Sequence, residues 1–437
     1  MASKQPAWAQ DPRLGRAQWH AQRGEVLQAD VLLRGLLKDH PDCLPALDGL
    51  SSFAAERGDL QMAAGLIGQA LRLAPEDPGL ALRQAQILAA DGQLDEAALR
   101  LQALLQAHPD EGLAWLLLAD VREVQGNTLG ALRARYQGIT RSQKAGRWLD
   151  RASTEPQLLE TVLRHIESLR QQRREQFRAS FDSVRTAFGA SELQRVDRAL
   201  SGFLGEWDAT PPDPRQRPKF FYFPDLPPGP YHDPYLQPWA RTLQQAWEPI
   251  RDEALGLLQE DRDFESFLGL KPGQKAPDYV GGSNPNASWD AFFFYRRGRR
   301  FDANHLRCPV TSAVLESVEL CRVGQQAPEV CFSVIRPQST IVRHFGVTNT
   351  RLVMHLPLLV PPGCALNVID GGEHAWKPGE LMMFDDTFQH EAWNTSDEPR
   401  LIVLMDCWNP HLTEPEKLAV KALVEMIDSV ENSAAVA

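Results

Sequence analysis

Glycine recurs every 34 residues near the start of this 437-residue chain, at Gly24, Gly58, Gly92 and Gly126, in "RGEV", "RGDL", "DGQL" and "QGNT". Pro41, Pro75 and Pro109 keep the same step, closing the runs "LLKDHP", "LRLAP" and "LLQAHP". Val26, Leu60 and Leu94 follow the first three glycines at a constant offset. A glycine at the turn between two helices and a proline after the second would give one helical hairpin per period. No such hairpin buries its apolar face alone, so neighbours must stack, and the first ~145 residues are expected to form an α-solenoid.

The period and its glycine and proline positions resemble the tetratricopeptide repeat. The fourth unit carries Gln143 where the proline would fall, as a terminal or decaying repeat does. Such a solenoid does no chemistry; it offers a surface to a peptide, a partner or a neighbouring domain. Residues 146–212 read as a further helical connector. Its basic stretch "RHIESLRQQRREQFR" reads as a solvated helix face, because the formal net charge of −11 argues against a nucleic-acid or anionic-membrane surface. No run approaches the ~18 apolar residues of a membrane span, and "MASKQPAWAQDPRLGRAQ" has no apolar signal core. A cytoplasmic protein with no nucleic-acid and no membrane partner is expected. Cys43, Cys308, Cys321, Cys331, Cys364 and Cys407 show no CxxC or zinc-like spacing and read as reduced and structural.

Composition changes sharply at "ATPPDPRQRPKFFYFPDLPPGPYHDP", whose prolines and aromatics break helices, so a boundary is placed near residue 212. One helix is predicted at about Pro238–Gln259. From about Ser288 the pattern is mostly β: "WDAFFFYRRG", "VCFSVIRP", "TIVRHFG", "RLVMHLPLLV", "ALNVID", "ELMMFDD", "QHEAW" and "RLIVLMDCW". Short strands between Gly, Pro and Asn turns predict a sandwich or barrel over 213–415. A helix and a small-residue tail follow over 416–437.

Ionisable residues recur on these strands where apolar ones would be expected. Ser333 lies in one and His344 ends the next; Arg351 and His355 share a face of "RLVMHLPL"; Asp386, His390 and Arg400 come from the last strands. Two histidines from different strands suit one divalent iron, and Arg400 with Ser333 suits a dicarboxylate beside it. The alternative is a pair of satisfied core histidines and a rim arginine. The usual first-ligand motif of a two-histidine-one-carboxylate site is His-x-Asp/Glu, and here it reads His344-Phe345-Gly346, so the carboxylate is absent. On this reading an aspartate placed at 346 would complete the set.

In order along residues 217–415, "RPKFFYFPDLPPGPYHDP", "WDAFFFYRRGRR", "HFGVTNTRLVMHLPL" and "GELMMFDDTFQHEAWNTSDEPRLIVLMDCWNP" resemble the aspartyl/asparaginyl β-hydroxylases, 2-oxoglutarate-dependent iron(II) oxygenases. The resemblance implies an α + β multidomain chain: tetratricopeptide-like repeats followed by a double-stranded β-helix of the jelly-roll or cupin-like kind. That family itself lacks the carboxylate ligand, so Gly346 conforms to it. By position, His344 and His390 look like the iron ligands. Arg400 with Ser333 would hold the distal carboxylate of 2-oxoglutarate, and His355 would contact the co-substrate's other end. Asp386 would sit behind the metal and orient its water. The family commonly has arginine where this chain has Val353, which leaves Arg351 as the neighbouring cation. Tyr295 stands where members have an aromatic residue lining the substrate site. The implied reaction is hydroxylation at the β-carbon of an Asp or Asn residue in a protein or peptide, recruited through the repeats, with release of succinate and CO2. Other readings are a small-molecule hydroxylase, a halogenase using the room left by Gly346, and a non-catalytic repeat scaffold.

Overall fold

The structure is a computed structural model that describes residues 6–260, 263–269, 278–284 and 286–432. The tail expected at the C-terminus falls largely outside them. By internal contacts the chain divides into two units, Met1–Arg173 with Asp428–Ala437, and Arg174–Ile427.

The first unit opens with helices α1 (Pro12–Gln22), α2 (Val26–Asp39), α3 (Leu44–Glu56), α4 (Leu60–Leu73), α5 (Pro78–Ala90), α6 (Leu94–Ala107), α7 (Gly112–Val124) and α8 (Thr128–Lys144). The repeated glycines sit where the first helix of each hairpin ends. Gly24, Gly58, Gly92 and Gly126 have φ of +74°, +79°, +78° and +76°, a left-handed turn that a Cβ would strain. Asp59, Asp77 and Asn127 then start helices by accepting backbone N–H bonds from Met62, Leu80 and Gly130. Apolar residues spaced three and four apart, such as Leu33 and Leu36 or Leu101, Leu104 and Leu105, are buried between successive helices.

The second unit contains thirteen strands among its described residues: β1 (Tyr231–His232), β2 (Glu265–Ser266), β3 (Val280–Gly281), β4 (Trp289–Arg296), β5 (Arg299–Arg300), β6 (Val330–Ile335), β7 (Ser339–His344), β8 (Arg351–Leu359), β9 (Cys364–Val368), β10 (Gly372–His374), β11 (Met382–Phe384), β12 (His390–Asn394) and β13 (Arg400–Trp408). One sheet runs β1-β11-β8-β13-β6-β4-β2, with β5 beside β4, and the other β10-β9-β12-β7-β3. From β6 onward the chain alternates between the sheets, apart from the β9–β10 hairpin within the smaller one, and named neighbours pair antiparallel. This is the double-stranded β-helix expected from the sequence.

The outer face of the larger sheet carries Phe292, Phe332, Leu352, Met354, Leu356, Val403 and Met405, packed against Ile250, Ala254, Leu257 and Leu315 of covering helices. The helix expected at Pro238–Gln259 is two pieces, Ala240–Gln245 and Trp247–Glu260. Pro249 explains the break, since its ring excludes the carbonyl four residues earlier and suits only a first turn. Two further helices, Asp302–Arg307 and Pro309–Ser317, interrupt a region read as mostly β. No helix among the described residues is long and apolar enough to cross a membrane.

Candidate active site

Strand parity builds the site. With 352, 354 and 356 of β8 buried under helices, Arg351, Val353 and His355 face the space between the sheets. On β13 the same alternation turns Arg400, Ile402, Leu404 and Asp406 inward. These side chains, with Ser333, Trp289, His344, His390, Trp376 and Asp386, line a cavity of about 200 Å³ whose remaining wall is largely apolar. Of the residues singled out from the sequence, Ser333, His344, Arg351, His355, Asp386, His390 and Arg400 therefore meet at one cavity, and Tyr295 does not.

His344 and His390 lie directly opposite on paired β7 and β12, with ring centroids 4.1 Å apart. Each donates from Nδ1 to a carbonyl two residues upstream, His344 to Val342 at 2.8 Å and His390 to Phe388 at 2.9 Å. A carbonyl only accepts, so Nδ1 carries the hydrogen and Nε2 keeps a lone pair. Burial lowers the pKa of His344, and burial together with the neighbouring His344 takes His390 down to about 3. Two adjacent neutral imidazoles with free Nε2 lone pairs are the form in which histidine ligates a metal. Among the described residues no group of three or more His, Cys, Asp or Glu is arranged to hold a metal ion.

Gly346 has a reason the sequence alone does not give. A Cβ built there would lie 2.0 Å from Asp386 Cγ, 2.1 Å from Oδ1 and 2.3 Å from Oδ2, and Gly346 N–H donates to the Asp386 carbonyl at 2.5 Å. The Asp386 carboxyl occupies the space a side chain at 346 would need. The expectation that an aspartate at 346 completes a ligand set is thus corrected: it would collide with Asp386. Burial pushes the Asp386 carboxyl up to about 7, partly opposed by Arg351, whose Nη2 is 3.8 Å from Oδ2.

Arg400 is almost fully buried and has no carboxylate partner among the described residues. Its Nη1 donates to the Ser333 carbonyl at 3.2 Å, its guanidinium lies 4.7 Å from the Trp376 ring centre, and its Nε has no partner. Burial lowers its pKa to about 9, which leaves it charged at neutral pH. Arg351 differs: Asp406, across the β8–β13 ladder, pairs with it directly and Asp386 lies on its other side. His355 is buried, with Nδ1 3.2 Å from Trp376 Nε1 and Nε2 without a partner.

Tyr295 does not line the cavity. A register irregularity between Phe293 and Tyr295 turns it to the helix-covered face, where its hydroxyl bonds Glu316 at 3.1 Å and Arg300 at 2.9 Å. Arg343 pairs with Glu391 at the surface, and His374 ends β10 half-buried beside Tyr231. Asp406, Trp289 and Trp376 were missed. Period-two parity from Arg400 would have pointed to Asp406; Trp376 is outside the strands, and no pattern marks it.

Residues 244–410 match the family model described as aspartyl/asparaginyl beta-hydroxylase. The human aspartate beta-hydroxylase domain-containing protein 2 is 30% identical over 211 residues, 47% of this chain and 54% of that protein. The human aspartyl/asparaginyl beta-hydroxylase is 30% identical over 188 residues, 42% of this chain and 23% of the relative. The ornithine lipid ester-linked acyl 2-hydroxylase of Rhizobium tropici is 27% identical over 199 residues, 45% of this chain and 66% of the relative. The chain thus spans about half the length of the first curated relatives it matches. A solved thermophilic TPR protein of Thermus thermophilus covers 37% of this chain and 82% of its own at 22% identity, with a TM-score of 0.30 that carries no argument. The resemblance to aspartyl/asparaginyl β-hydroxylases read from the motifs is borne out over the β domain.

Proposed function

We propose, with the family match of residues 244–410 as premise, that the β domain is a 2-oxoglutarate- and iron(II)-dependent hydroxylase. The observation that carries this is Arg400. A buried guanidinium with no carboxylate costs on the order of several kcal/mol unless an anion joins it, and the cavity that holds it also holds the paired neutral histidines. Arg351 is already matched by Asp406 and Asp386, which leaves Arg400 as the anchor for a ligand carboxylate. A scaffold that had lost catalysis would gain nothing by keeping that charge.

His344 and His390 would hold iron(II) through Nε2. When bound, iron(II) with 2-oxoglutarate would supply the oxygen activation that hydroxylates a substrate C–H, with succinate and CO2 as the co-products. Arg400 clamps a carboxylate through its planar fork, and His355 and Ser333 add hydrogen bonds. Asp386 lines the cavity with the two histidines and would orient water beside the iron, and the apolar wall keeps bulk water out. Because Asp386 fills the room beside Gly346, that position offers no space for a halide and hydroxylation is the better reading.

The β-carbon of Asp or Asn residues in a protein or peptide is the proposed target, by the names of the relatives, with the repeats as the recruiting surface. A lipid acyl chain is the second reading, favoured by the Rhizobium relative's name and the apolar cavity wall. Six buried, unpaired cysteines suit a cytoplasmic, reducing setting. Anaerobic titration with iron(II) and then 2-oxoglutarate tests the proposal: a weak visible charge-transfer band saturating at one equivalent is expected, and no band together with no binding overturns it.

A further inference from the structure

Serine hydroxyl and neutral imidazole can each donate or accept a hydrogen bond, whereas indole N–H only donates. Two tryptophans exploit that difference in the cavity. Trp289 Nε1–H donates to Ser333 Oγ at 2.9 Å, and Trp376 Nε1–H donates to His355 Nδ1 at 3.2 Å. With a hydrogen arriving at Nδ1, the neutral His355 ring must carry its own on Nε2, the buried atom left without a partner. Ser333 keeps its second lone pair, so its hydroxyl can still donate or accept, whereas the His355 ring has only Nε2–H to offer. Both tryptophans are held in place: Trp289 stacks on Phe267 with centroids 3.7 Å and planes 8° apart, and the Arg400 guanidinium lies over Trp376. Arg400 is itself donor-only.

We propose that Trp376 is a positioning residue that fixes His355 as an obligate Nε2–H donor, so that His355 and donor-only Arg400 together favour an ionised carboxylate in the cavity. The proposal rests on the reading that 2-oxoglutarate enters this cavity. Its consequence is discrimination. A carboxylate oxygen accepts from Arg400 and from His355 alike, while an amide NH2 turned toward either of them meets only a donor.

The test uses the full chain with Mn(II) in place of iron under argon, and calorimetric binding of 2-oxoglutarate and of its 5-amide, 2-oxoglutaramate. The parent protein should bind the acid and reject the amide. The acid-to-amide ratio should narrow by about tenfold in Trp376→Phe and stay at the parent's value in Trp289→Phe, which leaves the His355 tautomer fixed; general damage would weaken both ligands alike. Trp376→Phe keeps a ring beneath Arg400 but frees the His355 tautomer, and 2-oxoglutarate should bind about tenfold more weakly, the worth of one hydrogen bond to a charged group. Histidine-selective 15N spectra, assigned with His355→Gln, supply a readout that needs no tryptophan variant. They should show the Nε2–H tautomer in the parent protein, and the Nδ1–H tautomer there overturns the proposal. Unchanged affinity and unchanged discrimination in Trp376→Phe, or discrimination lost equally in Trp289→Phe, overturn it while leaving the hydroxylase reading standing. A parent protein that binds no 2-oxoglutarate overturns both.

Discussion

Replacing Gly346 with alanine adds one methyl group where Asp386 already stands, with its Cγ 2.0 Å from the new Cβ. No real contact is that short, so the aspartate must leave its buried position. Overpacking a filled site costs about 1–3 kcal/mol, and in a domain of roughly 250 residues each kcal/mol moves Tm by about 2–4 °C. Gly346→Ala should therefore lower Tm by about 2–12 °C. Asp386→Ala should cost far less, because the carboxyl it removes is buried with Oδ1 unpartnered and its pKa pushed up to about 7. The double variant is decisive. With Asp386 truncated the methyl at 346 meets open space, so Tm should return to within about 2 °C of Asp386→Ala alone, a coupling of about 1–3 kcal/mol. Thermal melts of the four proteins, repeated as urea titrations, measure it. Extending the cycle, Gly346→Asp should lose metal binding, and Gly346→Asp with Asp386→Ala should recover it by delivering a carboxylate from the other strand. Strictly additive losses would refute the claim that residue 386 fills the space of residue 346.

Arg400→Lys keeps the charge but loses the planar fork, so the Kd for 2-oxoglutarate should rise by about 10- to 100-fold while Mn(II) affinity stays within about twofold; an unaltered Kd by calorimetry would move the anchor away from Arg400. His344→Ala and His390→Ala should each abolish tight Mn(II) binding by electron paramagnetic resonance without unfolding the domain, and retention by either variant would remove that residue from the ligand set. Glu329 lines the same cavity, and burial, aided by Asp406, pushes its pKa from 4.5 up to about 7. The folded state then holds a proton that the unfolded state releases, so its contribution to stability falls as pH rises from about 4.5 to 7, by at most about 1.4 kcal/mol per pH unit. Glu329→Gln should flatten that slope in urea titrations between pH 5 and 7.5; an identical slope would show that Glu329 titrates normally.

Local chemistry made the solenoid legible, because glycine at each positive-φ turn and proline after the second helix of the first three units act within a few residues of themselves. The same holds for the cavity-facing residues of β8 and β13: alternation along a strand is a local rule, so Arg351 with His355, and Arg400 with its inward neighbours, could be grouped before any fold was known. Several things had no local signature. The register that sets His344 opposite His390 depends on which strands pair. The bulge that turns Tyr295 away from the cavity depends on the partner strand's spacing. Asp386 standing in the space of Gly346, Asp406 matching Arg351 across a ladder, and Trp376 beneath Arg400 join residues 24 to 55 positions apart. The sequence determined which residues face inward. Tertiary packing alone decided which charge was neutralised and which was left for a ligand, because neutralisation depends on distances between strands that the chain order does not contain.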